Sequence, residues 1–150
     1  MPYQLVYSSV PTKRMMKSHL YMILRQSRIN NKLDNVTGLL VFVDGMFLQV
    51  LEGEEDTVKT IFERIKNDKR HQNIAILFEG NVKERAFPKW EMAYASPSAK
   101  EIAAWSGLHN TTTIQDTLLT IAAQPDLVPK IFVELLESIE KTEQDLKTAS

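Results

Sequence analysis

Two apolar segments joined by a two-residue turn constrain the fold of this chain more than any other feature. Residues 36–43 form a nearly unbroken apolar run, Asp44-Gly45 follows, and residues 46–52 return with much the same character. An Asp-Gly pair between apolar runs is a strong signal for a β-hairpin with a tight turn. Because both faces of these strands are apolar, we expect the sheet to be covered on both faces.

The returning strand carries a glutamine, Gln49, among apolar neighbours. Alternation along a strand places Gln49 on the same face as Phe47 and Leu51. Its primary amide needs about four hydrogen-bond partners, and leaving it unsatisfied would cost about 1–3 kcal/mol. Gln49 is therefore either held by neighbouring backbone or placed to meet another polar group.

The remaining pattern predicts a single α+β domain. We expect strands at residues 3–9, 36–43, 46–52, 73–80 and 90–95, and helices at residues 15–30 and 55–67. This βαββαββ order is typical of a ferredoxin-like sheet with two helices on one face. Beyond Pro97-Ser98, two more helices at residues 113–123 and 127–146 are expected to cap the other face. The chain thus divides into residues 1–96 and a C-terminal helical cap, residues 97–150, within one globule.

The composition argues against several functional classes. The sequence has no cysteine and a net charge of −1, so we expect no disulfide, no thiolate metal site and no electrostatic footprint for nucleic acid or membrane. His19, His71 and His109 lie far apart without ligand spacing, which disfavours a metal site. No apolar run approaches the roughly 20 residues that span a bilayer. We expect a cytoplasmic protein that binds neither nucleic acid nor membrane.

Several other residues are candidates for binding, although each also has a purely structural explanation. Asn30 ends the first predicted helix and Asn31 lies just past it, where asparagine is a common terminator because it tolerates the left-handed conformation. Tyr7 alone would be a core tyrosine with one hydroxyl partner. Trp90 and Met92 are predicted to share one face of the fifth strand and would alone belong to the core as well.

Six segments follow one another in a recognisable order: Tyr7-Ser8-Ser9; Ile23-Leu24 with Ser27 and Asn30-Asn31; Thr37-Gly38-Leu39-Leu40; residues 47–53; Arg64-Ile65 with residues 68–71; and residues 85–92. Taken together they resemble one family, the BLUF domain, a blue-light sensor that uses flavin adenine dinucleotide. The resemblance covers about residues 2–95 without an evident gap, and residues 97–150 are similar to the two-helix cap of short, stand-alone BLUF proteins.

The resemblance implies a flavin held between the two helices, with its ring edge facing the sheet. Ile23 and Ile65 would sandwich the ring, and Asn31 would bind its C4 carbonyl and N3 edge. Gln49 would reach the N5 and O4 edge. The other expected cofactor residues are Ser27 and Asn30 near the ring, and Arg64, Asp68, Arg70 and His71 toward the ribityl and phosphate end. FAD is the expected cofactor, and because the adenine would project toward solvent, FMN or riboflavin would also fit.

The resemblance further implies a light-driven switch rather than an enzyme. Tyr7 would give up an electron and a proton, and Gln49 would change its hydrogen bonds by rotation or tautomerisation, which would shift the flavin spectrum to the red. The fifth strand, with either Trp90 or Met92 facing the flavin, would carry the change to the C-terminal helices. From there the signal would pass to a partner protein of unknown identity or through a homo-oligomer.

Two other functions stay open at this point. A flavin-dependent oxidoreductase would use the same pocket, but the sequence carries no nicotinamide fingerprint and no sign of a second substrate pocket. A ferredoxin-like regulatory module without chromophore would make Gln49 and Asn31 structural residues, satisfied by backbone.

Overall fold

The computed structural model describes residues 1–107, 113–124 and 126–148, without the side chains of residues 129, 138 and 140–148. His109 lies outside the described residues. The elements, in chain order, are β1 (Tyr3–Pro11), α1 (Lys17–Asp34), β2 (Thr37–Val43), β3 (Met46–Gly53), α2 (Glu55–Lys66), β4 (His71–Asn81), β5 (Ala93–Ala95), α3 (Ala99–Trp105), α4 (Ile114–Ala123) and α5 (Leu127–Thr148).

The five strands form one mixed sheet in the order β4-β1-β3-β2-β5. The first four pair antiparallel with their neighbours, and β5 runs parallel to β2 at the edge. This arrangement confirms the predicted α+β class and the βαββαββ order. The β2–β3 turn has φ of 47° at Asp44 and 77° at Gly45. Positive φ at both positions is the requirement of a type I′ hairpin, which glycine meets without steric cost.

Each face of the sheet carries its own apolar core, as the unbroken apolar run predicted. One core lies under α1 and α2, and we call it the α1–α2 core; it includes Leu24, Phe62, Leu51 and Met92. The other, which we call the C-terminal core, joins Val41, Leu48 and Val50 of the sheet to α3, α4 and α5. Its helical members are Ile102, Ile114, Leu118, Ile121, Val128, Ile131, Phe132, Leu135 and Ile139.

Helix α1 extends one turn further than predicted. Asn31 lies inside this helix and is buried, instead of lying past its end. The left-handed residue that ends the helix is Asn35, with φ of 54°, and its N–H turns back to the carbonyls of Asn31 and Lys32. The prediction that Asn30-Asn31 ends the helix is therefore wrong. Several asparagines can adopt this conformation, and sequence does not distinguish among them.

Strand β5 is shorter than predicted and does not contain Trp90. Met92 and Tyr94 pack into the α1–α2 core, whereas Trp90 packs against the C-terminal core. The expectation that Trp90 and Met92 share one strand face is therefore wrong. Alternation holds only within extended chain, and the residues just before β5 form turns and bends.

A short helix, α3, precedes the two predicted C-terminal helices. Its N-terminus is a capping box, in which the Ser98 Oγ accepts from the Glu101 N–H and the Glu101 carboxylate accepts from the Ser98 N–H. This Ser-x-x-Glu pattern is a recognised helix start, although the sequence analysis did not use it. None of the helices described is long and apolar enough to cross a membrane.

Candidate functional site

Two adjoining clefts open between α1 and α2, over the centre of the sheet. Their empty volumes are about 570 Å³ and 730 Å³ including solvent-open space, a size typical of small-molecule sites. We call them together the inter-helix cleft. The side chains common to both are Ile23, Ser27, Gln49, Ile65, Asp68 and Arg70.

All the residues predicted to contact the cofactor line this cleft. His71 joins the shared residues in one part, and Asn30, Asn31 and Arg64 join them in the other. The contact of each one with a flavin stays a prediction. The structure adds lining residues that the sequence analysis did not predict, namely Ser9, Met15, Gln26, Asp34, Leu40 and Ile61. Helical spacing from Ile23 and Asn30 would have indicated Gln26 and Asp34.

Tyr7 and Gln49 form a buried polar pair on the floor of the cleft. They are direct partners in the antiparallel β1–β3 register, so their side chains emerge side by side on one face. The Tyr7 hydroxyl donates to Gln49 Oε1. An irregularity in the β1–β4 pairing lies between Val6 and Tyr7, and such bulges commonly adjust the direction of a functional side chain.

The other end of the Gln49 amide meets Met92. Gln49 Nε2 lies 3.6 Å from Met92 Sδ, to which it donates. A thioether sulfur is a weak acceptor, so the amide donor is satisfied more weakly than the carbonyl. Met92 is fully buried, and its sulfur belongs to the same core as the cleft floor. Gln49 therefore touches Tyr7 on one side and the segment leading into β5 on the other.

Burial sets the charge state of Tyr7. Removal from water disfavours the phenolate and raises the pKa of Tyr7 well above its usual value of 10.0, and the negative charge of Asp68 acts in the same direction. The phenol therefore keeps its proton at neutral pH and is available as a donor to Gln49.

Charged and polar side chains form the rim of the cleft beyond α2. The Arg70 guanidinium donates to both carboxylate oxygens of Asp68 at 2.6–3.0 Å, and these bonds hold the pKa of Asp68 below its usual range. His71 contacts Ser9 Oγ at 2.9 Å through Nδ1 and the Ile65 carbonyl through Nε2. The His71 ring thereby ties the end of β1 to the last turn of α2.

Two side chains of α1 hold the segment just before β5. Arg28 Nε donates to the Met92 carbonyl at 2.8 Å, and Asn31 Nδ2 donates to the Glu91 carbonyl at 2.6 Å. Asn31 therefore lines the cleft and also fixes the backbone beside Met92. The buried Asn31 amide is thereby hydrogen-bonded, as buried polar groups generally are.

Among the described residues, no group of three or more histidine, cysteine, aspartate or glutamate side chains is placed to hold a metal ion. The cleft combines two apolar walls, one from each helix, with amides and a phenol at its floor.

Comparison with known proteins identifies the family. The model of the BLUF family, described as sensors of blue light using FAD, matches residues 3–93. The chain belongs to the BLUF family. Residues 3–93 are thus a flavin-binding blue-light sensor domain, and the resemblance on which the sequence analysis relied is confirmed.

Individual relatives agree with this assignment. The BLUF chain is 33% identical to photoactivated adenylate cyclase subunit beta of Euglena gracilis over 93 residues, which are 61% of this chain but 11% of that protein. The chain therefore spans only a small part of the curated relatives it matches. The ground-state structure of BlsA is 32% identical, with a TM-score of 0.66, and the match covers 74% of this chain and 76% of that one. The dark-state structure of BlrB, a BLUF protein, is 26% identical, with a TM-score of 0.70 and coverage of 91% and 96%.

The inter-helix cleft fits a flavin on its own geometry. Ile23 of α1 and Ile65 of α2 offer apolar side chains to the same space, as a planar ring system requires. Gln49 lines that space with an amide donor that meets only a thioether. Asn31 and Arg64 add polar groups to the lining.

Proposed function

We propose that this chain senses blue light through a flavin held in the inter-helix cleft and signals by a change in the hydrogen bonds of Gln49. The observation that carries the proposal is the buried Tyr7–Gln49 pair, which lines the cleft and also touches Met92. Tyr7 satisfies the Gln49 carbonyl, whereas the Gln49 amide donates to a thioether, which is a weak acceptor. Because an unsatisfied buried amide costs about 1–3 kcal/mol, this donor favours a further polar partner in the cleft.

The proposed positions of the cofactor residues follow from where they line the cleft. Ile23 and Ile65 flank the ring from opposite helices, and Asn31 binds the polar edge of the ring with an amide that both donates and accepts. Asp68, Arg70 and His71 lie together near the start of β4 and are assigned to the ribityl chain and phosphate. Ser27 and Asn30 support the ring edge, and Arg64, which lines the same part of the cleft as Asn30, is assigned to the ribityl and phosphate end as well.

Tyr7 and Gln49 have complementary roles in this proposal. When bound, the flavin supplies absorption of blue light and an excited state that accepts an electron and a proton. Tyr7 would be the donor of both, since its buried phenol is protonated and already donates to Gln49. Both would return to Tyr7 afterwards, so nothing would be consumed. Gln49 stays in a rotated or tautomeric form, with different groups facing Tyr7 and Met92, until the dark state recovers.

The proposed output path runs through Met92 rather than Trp90. Met92 contacts the Gln49 amide and lies immediately before β5. Ala93 and Ala95 of β5 point to the opposite face and pack in the C-terminal core with Leu135 and Ile139 of α5. A shift of Met92 would therefore move the surface on which α5 lies. One rearranged hydrogen bond, worth about 0.5–1.5 kcal/mol, can bias a two-state packing arrangement by roughly tenfold.

Substitution of Met92 tests this path. Met92→Ala should keep the light-induced red shift, because Tyr7 and Gln49 remain, but should lose the light-dependent change in hydrogen exchange of α5. Met16→Ala, at an exposed position before α1, is the matched control and should behave like the wild type. Wild-type exchange changes in Met92→Ala would show that the signal takes another route.

The absorption spectrum tests the function itself. The purified protein should be yellow, and blue light should move its absorption band reversibly to longer wavelength. A protein that is colourless and cannot be reconstituted with flavin would contradict the proposal. Steady flavin reduction by a nicotinamide donor would favour an oxidoreductase instead.

The proposed output is a contact with another molecule, not catalysis by this chain. The C-terminal helices end the path from Gln49, and they offer surface to a signalling protein whose identity is open or to a second copy of the chain. The curated relatives are named as photoactivated adenylate cyclase subunits, but this chain matches only 11% of their length. We therefore propose no cyclase activity for it.

A further inference from the structure

The C-terminal half of helix α1, residues 25–34, is fully described and buries no apolar side chain of its own. The apolar anchors of the helix, Leu20 and Leu24, both lie in its first half. In the second half the apolar side chains are Ile29 and Leu33, which are 55% and 82% exposed. A surface helix normally takes most of its stability from an apolar face packed on the core. A different kind of contact therefore positions this half.

Two polar side chains supply that contact, and both reach the backbone beside Met92. Arg28 Nε donates to the Met92 carbonyl at 2.8 Å, and Asn31 Nδ2 donates to the Glu91 carbonyl at 2.6 Å. Residues three positions apart on a helix lie on the same side, so the two donors hold consecutive carbonyls. A charged donor forms a bond about twice as strong as a neutral one, which makes Arg28 the stronger of the two contacts.

The segment that α1 holds in this way is also the segment that contacts Gln49. Gln49 Nε2 donates to Met92 Sδ at 3.6 Å. On the side away from α1, the Trp90 carbonyl accepts from the Gly38 N–H of β2 at 3.1 Å. Met92 therefore meets Gln49 through its side chain and α1 through its carbonyl.

Arg28 makes its contact outside the proposed flavin site. Ser27, Asn30 and Asn31 are among the described residues that line the inter-helix cleft, whereas Arg28 is not. A substitution of Asn31 would change the cleft and the contact together. The contact of Arg28 can instead be removed while the cleft lining stays intact.

We propose that Arg28 couples the switching of Gln49 to helix α1, as a second output beside the path through β5 and α5. A shift of Met92 displaces its carbonyl, and Arg28 carries that movement into the C-terminal half of α1 and so to the exposed Ile29 and Leu33. This half follows because its described side chains include no buried apolar one to fix it. The inference rests on the proposed function and adds a light-dependent change on the face of the sheet opposite to α5.

Hydrogen exchange of the flavin-bound full chain, in darkness and under blue light, tests this coupling. In the wild type, light should change the exchange of residues 25–34 by about threefold to tenfold, the range expected for one hydrogen bond. Arg28→Met keeps the aliphatic chain but removes the donor. It should keep the red shift and the light-dependent change in α5, and should lose the change in residues 25–34. Arg28→Lys retains a charged donor and should retain part of that change.

A matched variant and the wild type itself complete the test. Arg25→Met removes an exposed arginine from the same half of α1 and should behave like the wild type. If Arg28 only stabilised the helix, Arg28→Met would speed exchange equally in darkness and light and keep the wild-type difference between them, which would overturn the inference. A wild type that shifts to the red without a change in residues 25–34 would also overturn it, and that result needs no variant. A wild type that binds flavin but does not shift would contradict the proposed function itself.

Discussion

At the scale of single residues, Gln49 survives within an apolar strand because its two ends have different partners. The Tyr7 hydroxyl donates to the Gln49 carbonyl, and the Gln49 amide nitrogen donates to the Met92 sulfur. The alternation of the strand was sufficient to predict the face of Gln49, and the register of β1 against β3 then places Tyr7 beside it. The choice between Trp90 and Met92 was not predictable, because the preceding chain turns and alternation fails there.

Tyr7 gives the stability of the fold a characteristic pH dependence. The pKa of Tyr7 is raised in the folded state, so the folded chain keeps a proton that the unfolded chain releases above about pH 10. The contribution of the neutral phenol is fully present below pH 10, and the free energy of unfolding falls as pH rises above it. Tyr7→Phe should remove up to about 1.4 kcal/mol of that decline per pH unit.

Denaturant unfolding at pH 7, 10 and 11 measures this effect. The difference in stability between the variant and the wild type at pH 7 serves as the reference. From pH 10 to 11 the wild type should lose more stability than Tyr7→Phe. Parallel declines in the two proteins would mean that folding does not protect the Tyr7 phenol from ionisation.

At the scale of elements, a buried carboxylate joins β3 to the loop that precedes β5. Glu52 is fully buried and accepts from Gln4 Nε2 at 2.8 Å and from the N–H groups of Ala86 and Phe87 at 2.7 and 2.8 Å. Phe87 in turn packs edge-on against Phe132 of α5, with ring centroids 5.1 Å apart. Glu52 therefore links the strand that carries Gln49 to the C-terminal helix through a second route.

Removal of this carboxylate should weaken the fold. Glu52→Ala leaves two backbone N–H groups and the Gln4 amide without their partner, and we expect a loss of about 2–3 kcal/mol in the free energy of unfolding. Chemical denaturation of the variant measures it. Glu84→Ala, at an exposed glutamate in the same loop region, should change stability by less than about 0.5 kcal/mol. A loss of that small size in Glu52→Ala would show that water replaces the carboxylate at no cost.

At the scale of the whole molecule, the main strands and helices were more predictable from sequence than the short elements and the loop that connect the sheet to the C-terminal helices. The periodicity of the strands and of α1, α2, α4 and α5 follows from local apolar spacing, and the two-sided apolar run required a cover on both faces. Helix α3 begins at a capping box that apolar spacing does not reveal, and the loop before β5 is held by contacts with a distant residue, Glu52. Those contacts connect positions more than 30 residues apart, which local spacing does not report.

The surface of α1 supports the proposal of self-association. Ile29 and Leu33 lie one turn apart and are 55% and 82% exposed, so together they offer an apolar patch to a second copy. Light scattering should give a mass above the 17.2 kDa of one chain, and Ile29→Glu/Leu33→Glu should lower it. Leu119→Glu, at an exposed position on α4, is the control. A wild-type mass of one chain in both darkness and light would contradict an oligomeric output.

The most direct test of the account is the light-minus-dark absorption spectrum of Gln49→Leu with its flavin bound. Leucine has a similar volume but neither donor nor acceptor, so the cleft should keep its flavin while the switch is lost. We expect the dark spectrum of a bound flavin and no normal red shift on illumination. A Gln49→Leu protein that shifts and recovers like the wild type would show that Gln49 is not the switch.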